Sequence, residues 1–216
     1  MSDQNNRQQH LIIFTRYPEP GKAKTRLIPA IGAQAAAQLQ RQMTEYTLAQ
    51  ALQLQNQGFL TIEVRFTDGN LALMQNWLGT QVAYHAQGGG DLGARIANSL
   101  TVAFTNGNQR IAVIGTDCPE LTAELIKSAF EQLNDCDVVL GPAVDGGYYL
   151  IALKQLHTLF SGIDWGSSQV LQQTVTIAQK LNLSIAYLPR LVDIDRPDDL
   201  SIWEKIQTQQ QNAKER

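Results

Sequence analysis

The sequence predicts an α/β fold, a three-layer α/β/α sandwich whose central sheet is mostly parallel but mixed. Short runs rich in β-branched and aliphatic residues alternate with helical runs along most of the 216 residues. One pair of strands is joined by a turn too short for a crossover helix, which breaks the parallel pattern once. The composition, with 44% hydrophobic and 17% charged residues, is that of one globular domain with a sizeable core.

Strands and helices are predicted from hydrophobic periodicity and turn signals. The first helix is the clearest, because Leu39, Met43 and Tyr46 recur at helical spacing and Gly58 supplies a stop. The predicted strands are 11–16, 60–66, 80–86, 110–115, 137–141, 147–153 and 184–188. The predicted helices are 32–57, 70–78, 91–104, 119–133, 168–181 and 196–207.

We expect a single domain over residues 10–208, with a disordered tail at 1–9 and a frayed tail at 209–216. A net charge of −3 provides no field to attract nucleic acid or an anionic membrane. The amino-terminal residues lack the apolar core of a signal peptide, and no later run reaches the ~18 apolar residues of a membrane span. We therefore expect a cytoplasmic protein. Cys118 and Cys136 lack metal-site spacing and are predicted to be reduced structural thiols.

Positive charge is concentrated in the loop after the first strand, residues 16–26. A strand that ends in such a loop points cations and backbone N–H groups at one place, which indicates a ligand such as nucleotide phosphates. The loop is not a P-loop, because Arg16 stands where that motif requires glycine and Ala23 where it requires Ser or Thr. The alternative is a solvated basic face. The predicted phosphate ligands are Arg16, Gly21, Lys22, Lys24 and Arg26.

A glycine-rich loop precedes the third predicted helix, and it has three interpretations. Positions 88, 90 and 93 spell Gly-x-Gly-x-x-Gly, which would suit a dinucleotide, but Asp91 would then lie among the phosphate-binding amides. Asp91 would alternatively be a helix N-cap, with the glycines as turn residues. The third interpretation keeps this cap and adds close approach of a base or ribose, with Gly90, Asp91 and Arg95 binding the nucleotide.

Three aspartates follow predicted strands. Asp117 comes after strand 110–115, and its carboxylate would suit Mg²⁺ or Mn²⁺; alternatively, Asp117 or Thr116 caps the next helix. Asp193 and Asp195 place their side chains on one side if their segment is extended. Two such carboxylates repel each other unless a cation lies between them, so they are either metal ligands or a helix-start cluster.

The turn at Asp145, Gly146 and Gly147 joins two predicted strands at the same edge of the sheet. A hairpin turn explains the Asp-Gly-Gly sequence fully. The glycines would also let a sugar or base come close to the backbone. The turn is therefore a second candidate part of the site.

Five stretches across nearly the whole chain carry a family resemblance. They are Pro-Glu-Pro-Gly-Lys…Lys-Thr-Arg-Leu at 18–27, Gly-Asp-Leu-Gly-x-Arg at 90–95, Gly-Thr-Asp-Cys-Pro at 115–119, Asp-Gly-Gly-Tyr-Tyr at 145–149 and Asp-Ile-Asp-x-Pro-x-Asp-Leu at 193–200. Together they resemble the bacterial glycosyltransferases of the DUF2064 group, in the nucleotide-diphospho-sugar transferase superfamily. That group is related to the molybdopterin and 2-phospholactate nucleotidyltransferases. The resemblance implies a Rossmann-like GT-A fold.

The resemblance also implies roles for the candidate residues. The cations of the first loop would hold nucleotide phosphates, and the loop at 90–95 would lie near the nucleoside. Asp117 would be the principal metal ligand, completed by Asp193 or Asp195. Because Thr116 and Cys118 flank Asp117, the usual Asp-x-Asp pattern is missing. The second carboxylate must therefore come from the C-terminal pair.

We therefore expect a Mg²⁺- or Mn²⁺-dependent glycosyltransferase that moves a sugar from a nucleotide-diphosphate sugar to a small acceptor. An inverting transfer needs a base, for which Asp145 and Asp164 are the candidates. The region of the sugar or acceptor would include Gly146, Gly147, Trp165 and Ser167. One alternative is a nucleotidyltransferase that joins a nucleoside triphosphate to a phosphorylated acceptor and releases pyrophosphate. The other is a non-catalytic nucleotide-binding protein; no oligomeric state is predicted.

Overall fold

The computed structural model describes residues 9–214, so residues 1–8 of the predicted N-terminal tail lie outside the described residues. The strands are β1 (Gln9–Arg16), β2 (Thr61–Thr67), β3 (Ala83–Ala86), β4 (Arg110–Ile114), β5 (Val138–Pro142), β6 (Tyr148–Leu153) and β7 (Ile185–Tyr187). The helices are α1 (Ile28–Asn56), α2 (Leu71–Leu78), α3 (Leu92–Thr105), α4 (Ala123–Gln132), α5 (Val170–Lys180) and α6 (Leu200–Lys214). Short 3₁₀ turns at Thr25–Leu27 and Pro197–Asp199 precede α1 and α6.

The seven strands form one sheet in the order β3-β2-β1-β4-β6-β5-β7. All pairings are parallel except those of β6, which is antiparallel to both β4 and β5. The short turn between β5 and β6 produces this exception, because it leaves no room for a crossover helix. The predicted three-layer fold with a mostly parallel, mixed sheet is confirmed.

Both faces of the sheet are covered, which explains why its central strands are almost continuously apolar. Leu11 and Ile13 of β1 pack on one face with α1, α2 and α4. Ile12 and Phe14 pack on the other with α3 and α5. A third cluster, which includes Trp203, holds α6 against α1. None of the helices within residues 9–214 has both the length and the apolar character needed to cross a bilayer.

Several element boundaries differ from the predicted ones. Helix α1 begins at Ile28 rather than residue 32, and the chain kinks at Gly32, whose φ is 80°. Helix α4 begins at Ala123 rather than residue 119, because the Thr122 hydroxyl accepts from the Leu125 N–H and caps it. The alternative role of Thr116 or Asp117 as this cap is therefore wrong. Helix α6 continues to Lys214, beyond the predicted end of the domain at 208.

Candidate active site

The predicted site residues meet at the edge of the sheet where its six parallel strands end. The basic loop follows β1, Asp117 follows β4, and Asp193 follows β7. Strands β1 and β4 are neighbours in the sheet although β2 and β3 lie between them in the chain, so the strand order reverses here. Open α/β sheets bind ligands at such a reversal point.

Lys24 joins the three segments. Its side chain is only 3% exposed although the residue lies in a loop, and its φ of 48° is left-handed. The ammonium lies 2.8 Å from Asp117 Oδ1 and donates to the Ile194 carbonyl at 2.5 Å. A buried charge requires partners of this kind. The structure thus places this predicted phosphate ligand as a bridge between the basic loop and the two acidic segments.

The other three cations of the basic loop are exposed. The left-handed turn at Gly21, with a φ of 86°, lets the chain reverse just before Lys22. Each of these cations contacts an acidic side chain, and pairs exposed to this degree are weak, so a phosphate group could compete for them. The pairs are Arg16 with Asp68 at 3.3 Å, Lys22 with Glu19 at 2.9 Å, and Arg26 with Asp195.

Asp193 is the least compensated acid at this edge. The Cys118 thiol donates to its Oδ1 at 2.9 Å, while its buried Oδ2 has no hydrogen-bond partner within the described part of the chain. The pKa of Asp193 is raised to about 6, mainly by burial and to a smaller extent by the nearby charges of Asp145 and Asp117. The carboxyl group therefore lies where an added cation would be stabilising.

Asp117 and Asp193 fit a divalent ion better than Asp195 does. The Ile194 N–H donates to the Asp117 carbonyl at 2.9 Å, which brings the two segments into direct contact. Asp195 is instead paired with Arg26. Among residues 9–214, no group of three His, Cys, Asp or Glu side chains could hold a metal by itself. Two carboxylates still suit Mg²⁺, which usually takes one or two protein carboxylates and completes its shell with water and substrate phosphates.

The turn between β5 and β6 is stabilised by a hydrogen bond within the turn and by contacts with the start of α5 and the residues before it. The Gly147 N–H donates to Asp145 Oδ1 at 2.8 Å. Gly146 has a φ of 95°, and a Cβ there would collide with the Ser168 carbonyl. Its own carbonyl accepts from the Leu171 N–H at 2.9 Å. Gly146 therefore lets the segment before α5 approach the turn.

That segment carries Trp165 to the start of α3. A Cβ at Gly93 would collide with the indole, and the Tyr148 ring packs edge-on against it at a centroid distance of 6.4 Å. Asp164 is exposed, and its carbonyl accepts from the Ser167 hydroxyl at 2.8 Å. The structure thus brings Trp165 against Gly93 at the start of α3, whereas Ser167 serves the local turn.

The start of α3 follows the N-cap interpretation. Asp91 Oδ1 accepts from the Ala94 N–H at 2.8 Å, so the carboxylate occupies the helix amides that a dinucleotide phosphate would need. Arg95 donates to Gln87 Oε1 at 2.9 Å. Gln87 is buried and donates to the carbonyls of Thr15 and Arg65. Gln87 therefore anchors Arg95 to the sheet, a role that the sequence interpretation did not assign.

The sequence interpretation also missed a buried polar network beneath the site. Thr15 is the last residue but one of β1 and Thr116 follows β4, and their hydroxyl groups contact Gln40 and Thr44 of α1. The Thr15 and Thr44 hydroxyls are 2.9 Å apart, and the Gln40 amide donates to the Thr116 hydroxyl at 3.2 Å. The sequence signal that could have predicted this network is the polar pair Gln40 and Thr44, which lie one turn apart on the otherwise apolar face of α1.

The mixed seven-stranded sheet with helices on both faces gives the protein a fold of the GT-A and nucleotidyltransferase class. A model of the DUF2064 family, described as uncharacterized protein conserved in bacteria, matches residues 47–167. The chain belongs to this family, as the resemblance predicted. No curated protein matches it.

The solved structures that share the fold include the following three. A Desulfovibrio desulfuricans protein, provisionally named a nucleotide-diphospho-sugar transferase, is 34% identical over 88% of this chain and 83% of its own, with a TM-score of 0.83. CMP:2-keto-3-deoxy-manno-octonic acid synthetase complexed with CTP is 12% identical over 94% and 99%, with a TM-score of 0.57. 4-Diphosphocytidyl-2C-methyl-D-erythritol synthase from Anaerococcus prevotii is 10% identical over 93% and 96%, with a TM-score of 0.61. At this identity the last two show the fold alone.

Replacing Lys24 with Met is expected to destabilise the protein, because it removes two charge-assisted bonds that join three segments. The expected loss is about 1.5–3 kcal/mol in the free energy of unfolding by urea. Lys22→Met is the matched control, since Lys22 is exposed; its effect should stay within about 0.5 kcal/mol. Equal losses for the two variants would contradict the bridging role of Lys24.

Asp193 should make stability decline as the pH rises through about 4 to 6. Its ordinary pKa of 3.8 is raised to about 6 in the folded protein, so over this range the unfolded chain releases a proton that the folded protein retains. The contribution is about 1.4 kcal/mol for each unit of pKa difference. Urea unfolding in metal-free buffer should show a flatter pH profile for Asp193→Asn. The exposed control Asp135→Asn should keep the parent profile, and a parent-like profile for Asp193→Asn would contradict the raised pKa.

Proposed function

We propose that the protein is a nucleotide-dependent glycosyltransferase that uses Mg²⁺ or Mn²⁺ to move a sugar from a nucleotide-diphosphate sugar to a small acceptor. One observation carries the proposal. The buried Asp193 Oδ2 has no partner within residues 9–214, its segment is bonded to that of Asp117 at the strand reversal, and the exposed cations Arg16 and Arg26 lie in the loop after the neighbouring strand β1. A metal-bound diphosphate would complement both parts of this arrangement. The provisional name of the 34% identical Desulfovibrio protein supports the same class of donor.

The donor diphosphate would contact the exposed cations of the basic loop. Arg16, Lys22 and Arg26 would exchange their acidic partners for phosphate oxygens, while Lys24 keeps the loop attached to Asp117. Asp117 and Asp193 would hold the ion. When bound, Mg²⁺ or Mn²⁺ supplies positive charge that neutralises the departing nucleoside diphosphate. Gly90 and Arg95 would lie near the nucleoside, with Arg95 fixed by Gln87.

Asp145 is the better placed candidate base for the acceptor hydroxyl. Its charge contributes to the raised pKa of Asp193, so its carboxylate would lie on the side of the proposed ion. One of its oxygens accepts from the Gly147 N–H, which fixes the group and leaves the other oxygen for the acceptor proton. Asp164 is the other candidate base, and it would act from the segment that Trp165 holds near the start of α3. The acceptor would then bind between this segment and the turn that carries Asp145.

Nucleotidyl transfer is the second candidate. The same fold occurs in a synthetase structure that holds CTP, so a nucleoside triphosphate is a reasonable ligand to test at this edge. In that reaction a phosphorylated acceptor would attack the α-phosphate, and pyrophosphate would leave. Both reactions would draw on the same cations and the same two carboxylates. The released product distinguishes them.

Product analysis tests the proposed reaction. The protein would be incubated with Mn²⁺, panels of nucleotide-sugars or nucleoside triphosphates, and panels of hydroxyl or phosphate acceptors. Nucleoside diphosphate released together with a glycosylated acceptor would support glycosyl transfer. Pyrophosphate released from a triphosphate would support the second candidate. Ligand-induced stabilisation with turnover of neither panel would favour a non-catalytic nucleotide-binding protein and contradict both.

Asp117→Asn should abolish metal-dependent nucleotide binding while the protein still folds, because it removes a charge from a proposed ion ligand. Calorimetric titration of a nucleoside diphosphate with and without Mn²⁺ measures this. Asp135→Asn is the control, since this exposed acid precedes β5 and lies at the opposite edge of the sheet. Unchanged Mn²⁺-dependent binding by Asp117→Asn would remove Asp117 from the metal site.

A further inference from the structure

Cys118 makes a contact that the proposed chemistry does not use. It follows Asp117 directly and is 3% exposed, so it is closed to solvent. Its thiol donates to Asp193 Oδ1 at 2.9 Å across a gap in sequence from the end of β4 to the segment after β7. The adjacent bond from the Ile194 N–H to the Asp117 carbonyl is a second link between the same segments. The backbone bond fixes the segments, and the thiol fixes the side chain.

The thiol determines which oxygen of Asp193 is left without a partner. A carboxylate bonded at neither oxygen can rotate about its terminal torsion, which is broad in energy. With Oδ1 held by Cys118, Oδ2 is the buried oxygen with no partner in the described chain. A thiol is neutral and a weak donor, so it orients the carboxylate without neutralising its charge.

We propose that Cys118 is a positioning residue, which holds Asp193 Oδ1 so that Oδ2 faces the divalent ion beside Asp117. The inference rests on the proposed metal-dependent function, because it assumes that Asp117 and Asp193 hold the ion. It adds a role for the thiol itself, which acts through Asp193 and does not touch the ion. Partners that orient metal ligands in this way typically change metal affinity 10- to 100-fold.

Cys136 provides a matched comparison within the same chain. It is also buried, and its thiol lies 3.2 Å from the Gln132 carbonyl and 3.3 Å from the Val138 carbonyl. These are backbone acceptors at the end of α4 and the start of β5, next to the opposite edge of the sheet. A buried thiol in this protein can therefore be satisfied by backbone carbonyls and does not require a carboxylate partner. Loss of Cys136 should cost packing without changing the ion site.

The test measures binding of Mn²⁺ alone to the full chain, by calorimetry and by the paramagnetic resonance signal of free Mn²⁺. Cys118→Ala should bind Mn²⁺ about 10- to 100-fold more weakly than the parent. Cys118→Ser keeps a donor and should restore most of this affinity, while Cys136→Ala should match the parent. In the Asp193→Asn background, Cys118→Ala should have no further effect, because the two residues act as one unit. Circular dichroism and the melting temperature confirm that each variant folds.

Distinct results would overturn the inference. Parent-like Mn²⁺ affinity in Cys118→Ala, or no recovery in Cys118→Ser, would mean that the thiol does not orient Asp193. A thiolate charge-transfer band on adding Cd²⁺ to the parent, absent in Cys118→Ser, would make Cys118 a direct ligand instead. If the parent and Asp117→Asn gave the same Mn²⁺ titration, the proposed ion site itself would fail. Binding lost in Asp117→Asn but intact in Cys118→Ala would overturn only the role of Cys118.

Discussion

The candidate site depends on the buried ammonium of Lys24. It joins the loop after β1 to Asp117 after β4 and to the Ile194 carbonyl after β7, segments that lie far apart in the chain. A buried charge is tolerated only where its partners are already in place, so this contact requires all three segments to converge. The reversal of strand order brings β1 and β4 together. Lys24 then joins the loops that follow these two strands to the segment after β7. This contact fixes Asp117 directly and holds the backbone beside Asp193, whose side chain is held by Cys118.

The position of the loops at this edge could be predicted from the sequence. The prediction required only the order of strands and helices along the chain and the rule that ligands bind beyond the carboxyl ends of the strands. It could not separate Asp193 from Asp195. Alternation puts both on one side of an extended segment, but β7 ends at Tyr187, and within the described chain the last bridge to a neighbouring strand is at Leu191, before either aspartate. The structure sends one carboxylate to Cys118 and the other to Arg26. That choice depends on partners distant in sequence, which no local pattern contains.

The start of α4 affects the site directly. Pro119 is a good first residue for a helix, which made Asp117 a reasonable cap in the sequence interpretation. The helix begins later, because the Thr122 hydroxyl satisfies its first free amide. Asp117 is thereby left free to pair with Lys24. The Thr15 and Thr116 hydroxyls beneath it bond to α1, so the ends of β1 and β4 are fixed from below as well.

The basic loop therefore divides into two functional parts, which its composition alone could not distinguish. Lys24 is buried and paired, and removing it from Asp117 would leave an uncompensated charge. Arg16 and Arg26 are about half or more exposed, and exposed ion pairs contribute only about 0–1 kcal/mol each. A diphosphate carries more charge than the single carboxylate it would displace at either arginine, so exchange there costs little. It follows that a phosphate ligand would recruit the exposed cations and leave Lys24 in place, which keeps the proposed ion ligands in position before and after the donor binds.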